Sequence, residues 1–342
     1  MAQNKSITIG ETVVKPGQRA KVNLPVADLY TSTSLSMPVK VICGRREGPV
    51  LFVSAAIHGD ELNGVEIIRR LLNRRELSSI RGTLLAVPIV NVHGFLHQSR
   101  YLPDRRDLNR TFPGSAKGSL AARMANMFFT QIVSRADYGV DLHTGAINRS
   151  NLPQIRGNLD DAKTLEMANA FGVPVIVNAN IRDGSLRGCA ADRGMPVVTY
   201  EAGEALRFDE ISIRAGLRGI LNIMRLIEML PRRRSGRKTV NPVLAHTTSW
   251  VRAPFSGIVN TKVQLGHAVS SGQTLATISD PLGDTEEIMA APFDGIVIGC
   301  SKLPLTHEGD ALFNVAAFKS VARAEGIVEE FTTAYDDESL ST

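Results

Sequence analysis

Val50-Leu51-Phe52-Val53-Ser54-Ala55-Ala56-Ile57-His58-Gly59-Asp60-Glu61 decides the architecture, because an apolar run of strand length ends abruptly in polar, chemistry-bearing residues. A run of this kind suits a parallel strand buried on both faces. The pattern then changes to helical spacing over Val65-Glu66-Ile67-Ile68-Arg69-Arg70-Leu71-Leu72. His58 is therefore expected at the carboxyl end of a strand. Glu61 falls in the first helical turn or the loop before it, where an offset of three can turn imidazole and carboxylate toward one point.

Hydrolytic zinc is commonly held by two histidines and one glutamate, so another histidine should stand at a strand end. Tyr138-Gly139-Val140-Asp141-Leu142-His143-Thr144-Gly145 supplies it, and His143 is the expected third ligand. Asp141, two residues back on the same face, could accept the spare imidazole N–H of a ligand. Met195-Pro196-Val197-Val198-Thr199-Tyr200 leads in the same way into Glu201. A carboxylate on that sheet edge could act as general base toward water. Glu204 is its rival, but it lies past the Gly203 turn, and the strand-end rule for open α/β sheets favours Glu201. Taken singly, a His-x-x-Glu pair or a lone histidine is more often structural than metal-binding. The combination at strand ends carries the metal reading.

Outward from these motifs, Val22 to Val26 and Pro38 to Ile42 read as strands at one sheet edge, and Gly82 to Asn91 as a further buried strand. Strand, helix, strand makes a parallel crossover, hence an α/β fold with a parallel or mixed sheet and helices on both faces. Asn91 to Gly114 reads as a long loop rich in arginine, a candidate lid over a substrate carboxylate because the guanidinium fork matches that group. Helices are expected at Leu120–Ile132, Ala162–Phe171 and Ile220–Leu230, a strand at Val173–Val177, and a glycine-rich loop from Arg182 to Arg193. The basic run Arg232 to Lys238 reads as a solvated linker. Beyond it, Ala253-Pro254-Phe255-Ser256-Gly257-Ile258-Val259 recurs as Ala291-Pro292-Phe293-Asp294-Gly295-Ile296-Val297, the mark of a small all-β module. Residues 1–240 are thus expected to form the α/β domain, 241–320 the β module, and 321–342 an acidic, frayed tail around Asp336-Asp337-Glu338.

Composition narrows the class. The chain has 342 residues, 43% of them hydrophobic, enough for a substantial core, and no apolar run long enough to span a bilayer. Its polar start carries no signal-peptide core, which makes cytoplasm the expected location. Cys43, Cys189 and Cys300 are odd in number and far apart, as reduced thiols are. A net charge of +5 comes without a basic face interleaved with aromatics, so no nucleic-acid partner is expected.

Four ordered motifs, His58-Gly59-Asp60-Glu61, Asp107-Leu108-Asn109-Arg110-Thr111-Phe112-Pro113-Gly114, Asp141-Leu142-His143-Thr144-Gly145 and Thr199-Tyr200-Glu201-Ala202-Gly203, resemble the succinylglutamate desuccinylase/aspartoacylase family over about residues 45 to 230. The resemblance implies a zinc-carboxypeptidase-like fold and one Zn2+ held by His58, Glu61 and His143, with Glu201 as general base. It implies that Asn109 and Arg110 bind a substrate carboxylate, that Arg100, with Arg105 as competitor, polarises the scissile carbonyl, and that Arg187 is a further substrate arginine. The implied reaction is hydrolysis of the amide of an N-acyl amino acid. An ester, lactone or peptide hydrolase, or a non-catalytic binding homologue, are the alternatives. The C-terminal module resembles a biotinyl/lipoyl-type barrel-sandwich domain, but no lysine lies between Lys262 and Lys302 to carry a cofactor. It is expected to shape the substrate cleft or to serve a homo-oligomer interface.

Overall fold

Four parallel strands form the centre of the protein in the computed structural model, which describes residues 2–179, 181–232 and 240–339. Their order is Arg81–Val87, Arg46–Ala55, Tyr138–His143, Val197–Gly203. The chain leaves Arg46–Ala55 through helix Asn63–Leu72 and pairs first on one side, with Arg81–Val87, and later on the other, with Tyr138–His143. This reversal of strand order opens a crevice at the strands' carboxyl ends. Arg19–Asp28 and Ser34–Cys43 add an antiparallel edge, and Arg149–Gly157 pairs antiparallel with Val197–Gly203. The result is a mixed sheet of 13 strands among the described residues.

One face of the sheet is apolar along its whole length. Leu51, Val53, Val140, Leu142, Val198 and Tyr200 pack there with helices Asn63–Leu72, Ala162–Phe171 and Glu210–Leu226. The opposite face changes character along the strands. Phe52, Gly139 and Val197 share one register row against Phe128 of helix Leu120–Gln131; Ser54, Asp141 and Thr199 form the next row; His143 and Glu201 form the last. Gly139 has no side chain because the Phe52 ring fills its place, and a Cβ would sit 2.3 Å from that ring. The second face thus passes from core to chemistry over four residues.

Several elements differ from the sequence expectation. The strand Arg149–Gly157 was concealed by Pro153, which cannot donate to a ladder. Its place is explained by a change of neighbour: residues 149–151 pair with Gly295–Ser301 and residues 154–157 with Val175–Asn178. The long loop from Asn91 contains a short helix, Val92–Leu96, and a 3-10 turn at Leu108–Arg110, and the Arg182–Arg193 loop contains helix Leu186–Ala191. The helix expected from Ile220 starts at Glu210 and stops at Leu226. The basic run beyond Arg232 lies outside the described residues.

Past residue 240, Thr247–Arg252, Ala311–Ala317 and Gly295–Ser301 continue the large sheet. Gly257–Thr261, Thr274–Ser279, Glu286–Ala290 and Leu305–Thr306 make a second sheet, packed on the first around Val259, Leu275, Ile278, Val297, Phe313 and Val315. The first copy of the internal repeat leads into Gly257–Thr261 of the second sheet, and the second copy into Gly295–Ser301 of the large one. The segment expected as a frayed acidic tail is instead helical over Val321–Ser339. Ala324, Val328, Phe331 and Tyr335, at spacings of four, three and four, bury one stripe of it. Among the described residues no helix is long and apolar enough to cross a membrane.

Candidate active site

His58, His143 and Glu201 project from the ends of three adjacent parallel strands. Ala56, at φ 50°, ends the first strand in the left-handed region and redirects the chain two residues before His58; such a conformation costs about 1–3 kcal/mol in a non-glycine residue and is found at functional sites. Gly59 then passes against the backbone of Gly94, where a Cβ would come within 1.9 Å. Glu61 lies in the loop just before helix Asn63–Leu72. Asn63 fixes that loop to the neighbouring strand by donating to the Ala202 carbonyl at 3.1 Å.

The three side chains converge. Glu61 reaches His58 Nδ1 with Oε1 at 2.6 Å and His143 Nδ1 with Oε2 at 2.7 Å, and one ligand atom from each residue lies within 4.8 Å of the others. Each imidazole has its far nitrogen tied to a second carboxylate: His58 Nε2 to Asp107 at 3.1 Å and His143 Nε2 to Asp141 at 2.7 Å. Asp141 in turn accepts from Ser54 Oγ at 2.8 Å. This is the arrangement that orients histidine toward a metal, with both Nδ1 atoms turned to one point. Burial would raise the Glu61 carboxyl, but the two imidazoles bring it well below the usual range. Burial likewise opposes protonation of His143, and Asp141 and Glu61 reverse this and raise it well above 6.5. A divalent cation between the two Nδ1 atoms and the carboxylate satisfies the same charges, so the donor set fits zinc.

All eight residues singled out for the site line one cavity of about 430 Å3: His58, Glu61, Arg100, Asn109, Arg110, His143, Arg187 and Glu201. Arg100 donates to Asp107 at 3.0 Å and lies 3.4 Å from Glu61, whereas its competitor Arg105 is exposed and outside the lining. Glu201 accepts from Asn151 Nδ2 at 2.8 Å, while Glu204 is bound to the Asn148 amide and does not line the cavity. Asn109 accepts from the Leu186 amide at 2.9 Å, so helix Leu186–Ala191 and the Asp107 loop are locked together. Desolvation and then the neighbouring Arg182 and Arg100 lower the Arg110 guanidinium, with Asp107 opposing them. Asp107, Arg149, Arg156 and Trp250 complete the surroundings and were assigned no chemistry from the sequence, where Asp107 stood only as the first residue of a motif; the separation of 49 positions from His58 to Asp107 is bridged by no local spacing rule.

A family model described as the succinylglutamate desuccinylase/aspartoacylase catalytic domain matches residues 47–227, more than half of the chain. The chain belongs to the succinylglutamate desuccinylase/aspartoacylase family. Among relatives of this deacylase family, the N-alpha-acetyl-L-2,4-diaminobutyric acid deacetylase of Halomonas elongata is 27% identical over 277 residues, 77% of this chain and 80% of that protein. The crystal structure of a succinylglutamate desuccinylase/aspartoacylase from Rhodobacter sphaeroides superposes with a TM-score of 0.78 at 26% identity, over 88% of this chain and 95% of the other. The product-bound ectoine utilization protein EutE (DoeB) of Ruegeria pomeroyi shares the fold, with a TM-score of 0.81 at 24% identity over 92% and 100% of the two chains. The family segment contains every acid and histidine of the convergent cluster. Trp250 reaches the desuccinylase/aspartoacylase pocket from beyond it.

Proposed function

We propose that the protein is a zinc-dependent deacylase that hydrolyses the amide of an N-acyl amino acid. The observation that carries this reading is the meeting of His58 Nδ1, His143 Nδ1 and the Glu61 carboxylate, each imidazole held from behind by its own carboxylate. Bound there, zinc supplies Lewis-acid polarisation of an acyl carbonyl and acidifies water to a pKa of about 7. Glu201, at the end of the next strand, takes a proton from the attacking water and passes it to the leaving amine. Arg100 donates to the oxyanion as the carbonyl becomes tetrahedral. Asn109 and Arg110 hold the substrate carboxylate, with Arg187 on the same cavity lining, so the scissile bond is oriented before reaction. Residues 1–240 serve as the catalytic domain. Residues 241–320, a barrel-sandwich module without the carrier lysine, close the pocket on one side through Trp250.

The test is amine release from a panel of N-acyl amino acids, before and after chelation and with zinc added back. Chelator-sensitive release restored by zinc supports the reading. Ester or lactone cleavage without amide cleavage moves it to the other bond class, and a protein that binds no zinc overturns it.

A further inference from the structure

Strand Arg149–Gly157 slips in register beside Glu201. Arg156 stands opposite Thr199 and Gln154 opposite Glu201, but Gly203 stands opposite Asn151, where an unbroken ladder would give it Leu152. The extra residue is a β-bulge, and a bulge re-aims the side chains beyond it. Pro153, which an inner strand accommodates only where its ladder is broken, stands within the slip. Strict alternation from Arg156 and Gln154 would send Leu152 and Ser150 toward the site. The cavity is lined by Asn151 and Arg149 instead.

Both ends of the Asn151 amide are then placed. The residue is 8% exposed, and its Nδ2 donates to Glu201 Oε2 at 2.8 Å. On the other side, Asn151, Gly299, Asn314 and Trp250 stand opposite one another across four strands. Asn151 Oδ1 lies over Gly299: a Cβ there would come 3.1 Å from this oxygen and 3.5 Å from the Trp250 ring. Gly299 does not lie in the left-handed region, so its missing side chain answers to space and not to backbone conformation. A strand of the C-terminal part thus makes the room in which Asn151 can turn its donor to Glu201.

We infer that Asn151 is the positioning residue of the Glu201 base, aimed by the bulge and given its space by Gly299. With Oε2 held, the carboxylate cannot rotate freely. Oε1, which has no hydrogen bond among the described residues, is the oxygen that takes a proton from the attacking water and returns it to the leaving amine. A carboxamide suits the task because it donates a hydrogen bond and neither accepts nor surrenders the transferred proton. The inference rests on the deacylase reading and assigns Asn151 a part within it.

The experiment compares zinc-loaded wild type, Asn151→Ala, Asn151→Asp and Gly299→Ala on the best amide substrate of the panel. Asn151→Ala should lower kcat by about 10–100-fold, with KM within about twofold and zinc content unchanged. Asn151→Asp keeps the shape but cannot donate as a carboxylate, and should fall at least as far. Gly299→Ala, outside the cavity, should reproduce the defect at about three- to tenfold by crowding Asn151. The deciding arm is Asn151→Ala in a Glu201→Gln background, where it should change the residual rate by less than about twofold because no base is left to position. An equal loss in both backgrounds, or a loss carried by KM, shows a structural or substrate-binding role and overturns the inference while the deacylase reading stands. Crystals of zinc-loaded Asn151→Ala give a readout apart from activity: the Glu201 carboxylate should be turned from its wild-type direction, and an unmoved carboxylate overturns the inference. If the wild type cleaves no amide, the deacylase reading has failed, and the crystals alone judge whether Asn151 fixes Glu201.

Discussion

Glu61 and Glu201 are both glutamates at the mouth of one sheet, yet their surroundings divide their work. Glu61 is 2% exposed and reaches both imidazoles, whereas Glu201 is only partly buried and is touched by the neutral amide of Asn151. Glu201→Gln should therefore retain one zinc per chain and lose turnover by a factor on the order of 10^2–10^4, the usual weight of a general base. Zinc loss in that variant would make Glu201 a ligand and not a base. Asp107→Asn is expected to act through the metal, weakening zinc by about 10–100-fold because His58 loses the partner that fixes its ring. Titration with a competing chelator reads that shift, and unaltered affinity would show that the contact is incidental. The candidate ligands could be picked from the sequence because each histidine follows an apolar strand and the sheet brings such ends together, while Glu61 stands three residues after the first of them. Asp107 could not, since its contact with His58 depends on how a polar loop folds back over 49 residues.

At the scale of elements, two features hold the loop that carries His58 and Glu61 in place. Gly59 is the first, and Gly59→Ala should lower both stability and zinc occupancy, because the added carbon meets the Gly94 backbone, which cannot swing aside as a side chain can. Retained zinc and an unchanged Tm would show that the Gly94 turn yields. The second is the charged seam between helices Asn63–Leu72 and Glu210–Leu226, where Arg70 joins Glu66 at 2.7 Å and Glu210 at 2.6 Å. Hydrogen bonds from Arg69 and then Arg70 hold the Glu66 carboxyl at about 2, below the ordinary 4.5. A depressed carboxylate contributes stability that is present above pH 4.5 and is lost as pH falls toward 2. Glu66→Gln should therefore lower Tm slightly at pH 7, and the gap to wild type should close between those two values. The effect is small because the seam is open to solvent; a gap that persists to the acid end would point to packing instead of charge. The same scale shows why Arg149–Gly157 escaped the sequence reading while Ala162–Phe171 did not. A helix declares itself by its own period, but a strand containing Pro153 is intelligible only from its neighbours, which change at that residue.

For the molecule as a whole, the open question of organisation is whether the region beyond residue 240 is a module hung on the catalytic part or an extension of it. Its sequence repeat suggests a module, yet Gly295–Ser301 hydrogen-bonds directly to Arg149–Gly157, and helix Val321–Ser339 carries Phe331 and Tyr335 into the same core as Tyr200 and Ile220. Cutting the chain between these parts would unpair a strand of the active-site sheet and uncover aromatic core, so the two should gain and lose structure together. The chain has a single tryptophan, Trp250, on a strand of the C-terminal part, stacked on Arg149 of the catalytic sheet. Its fluorescence reports the C-terminal strands and their contact with Arg149, whereas far-ultraviolet circular dichroism is an average over the whole chain. If the sheet is one cooperative unit, the two unfolding curves should share a midpoint to within about 1 °C, as two-state behaviour requires. An earlier fluorescence transition, with most of the dichroism intact, would instead show a separable β module, and the Arg149–Trp250 wall of the pocket would then be able to open without unfolding the metal site behind it.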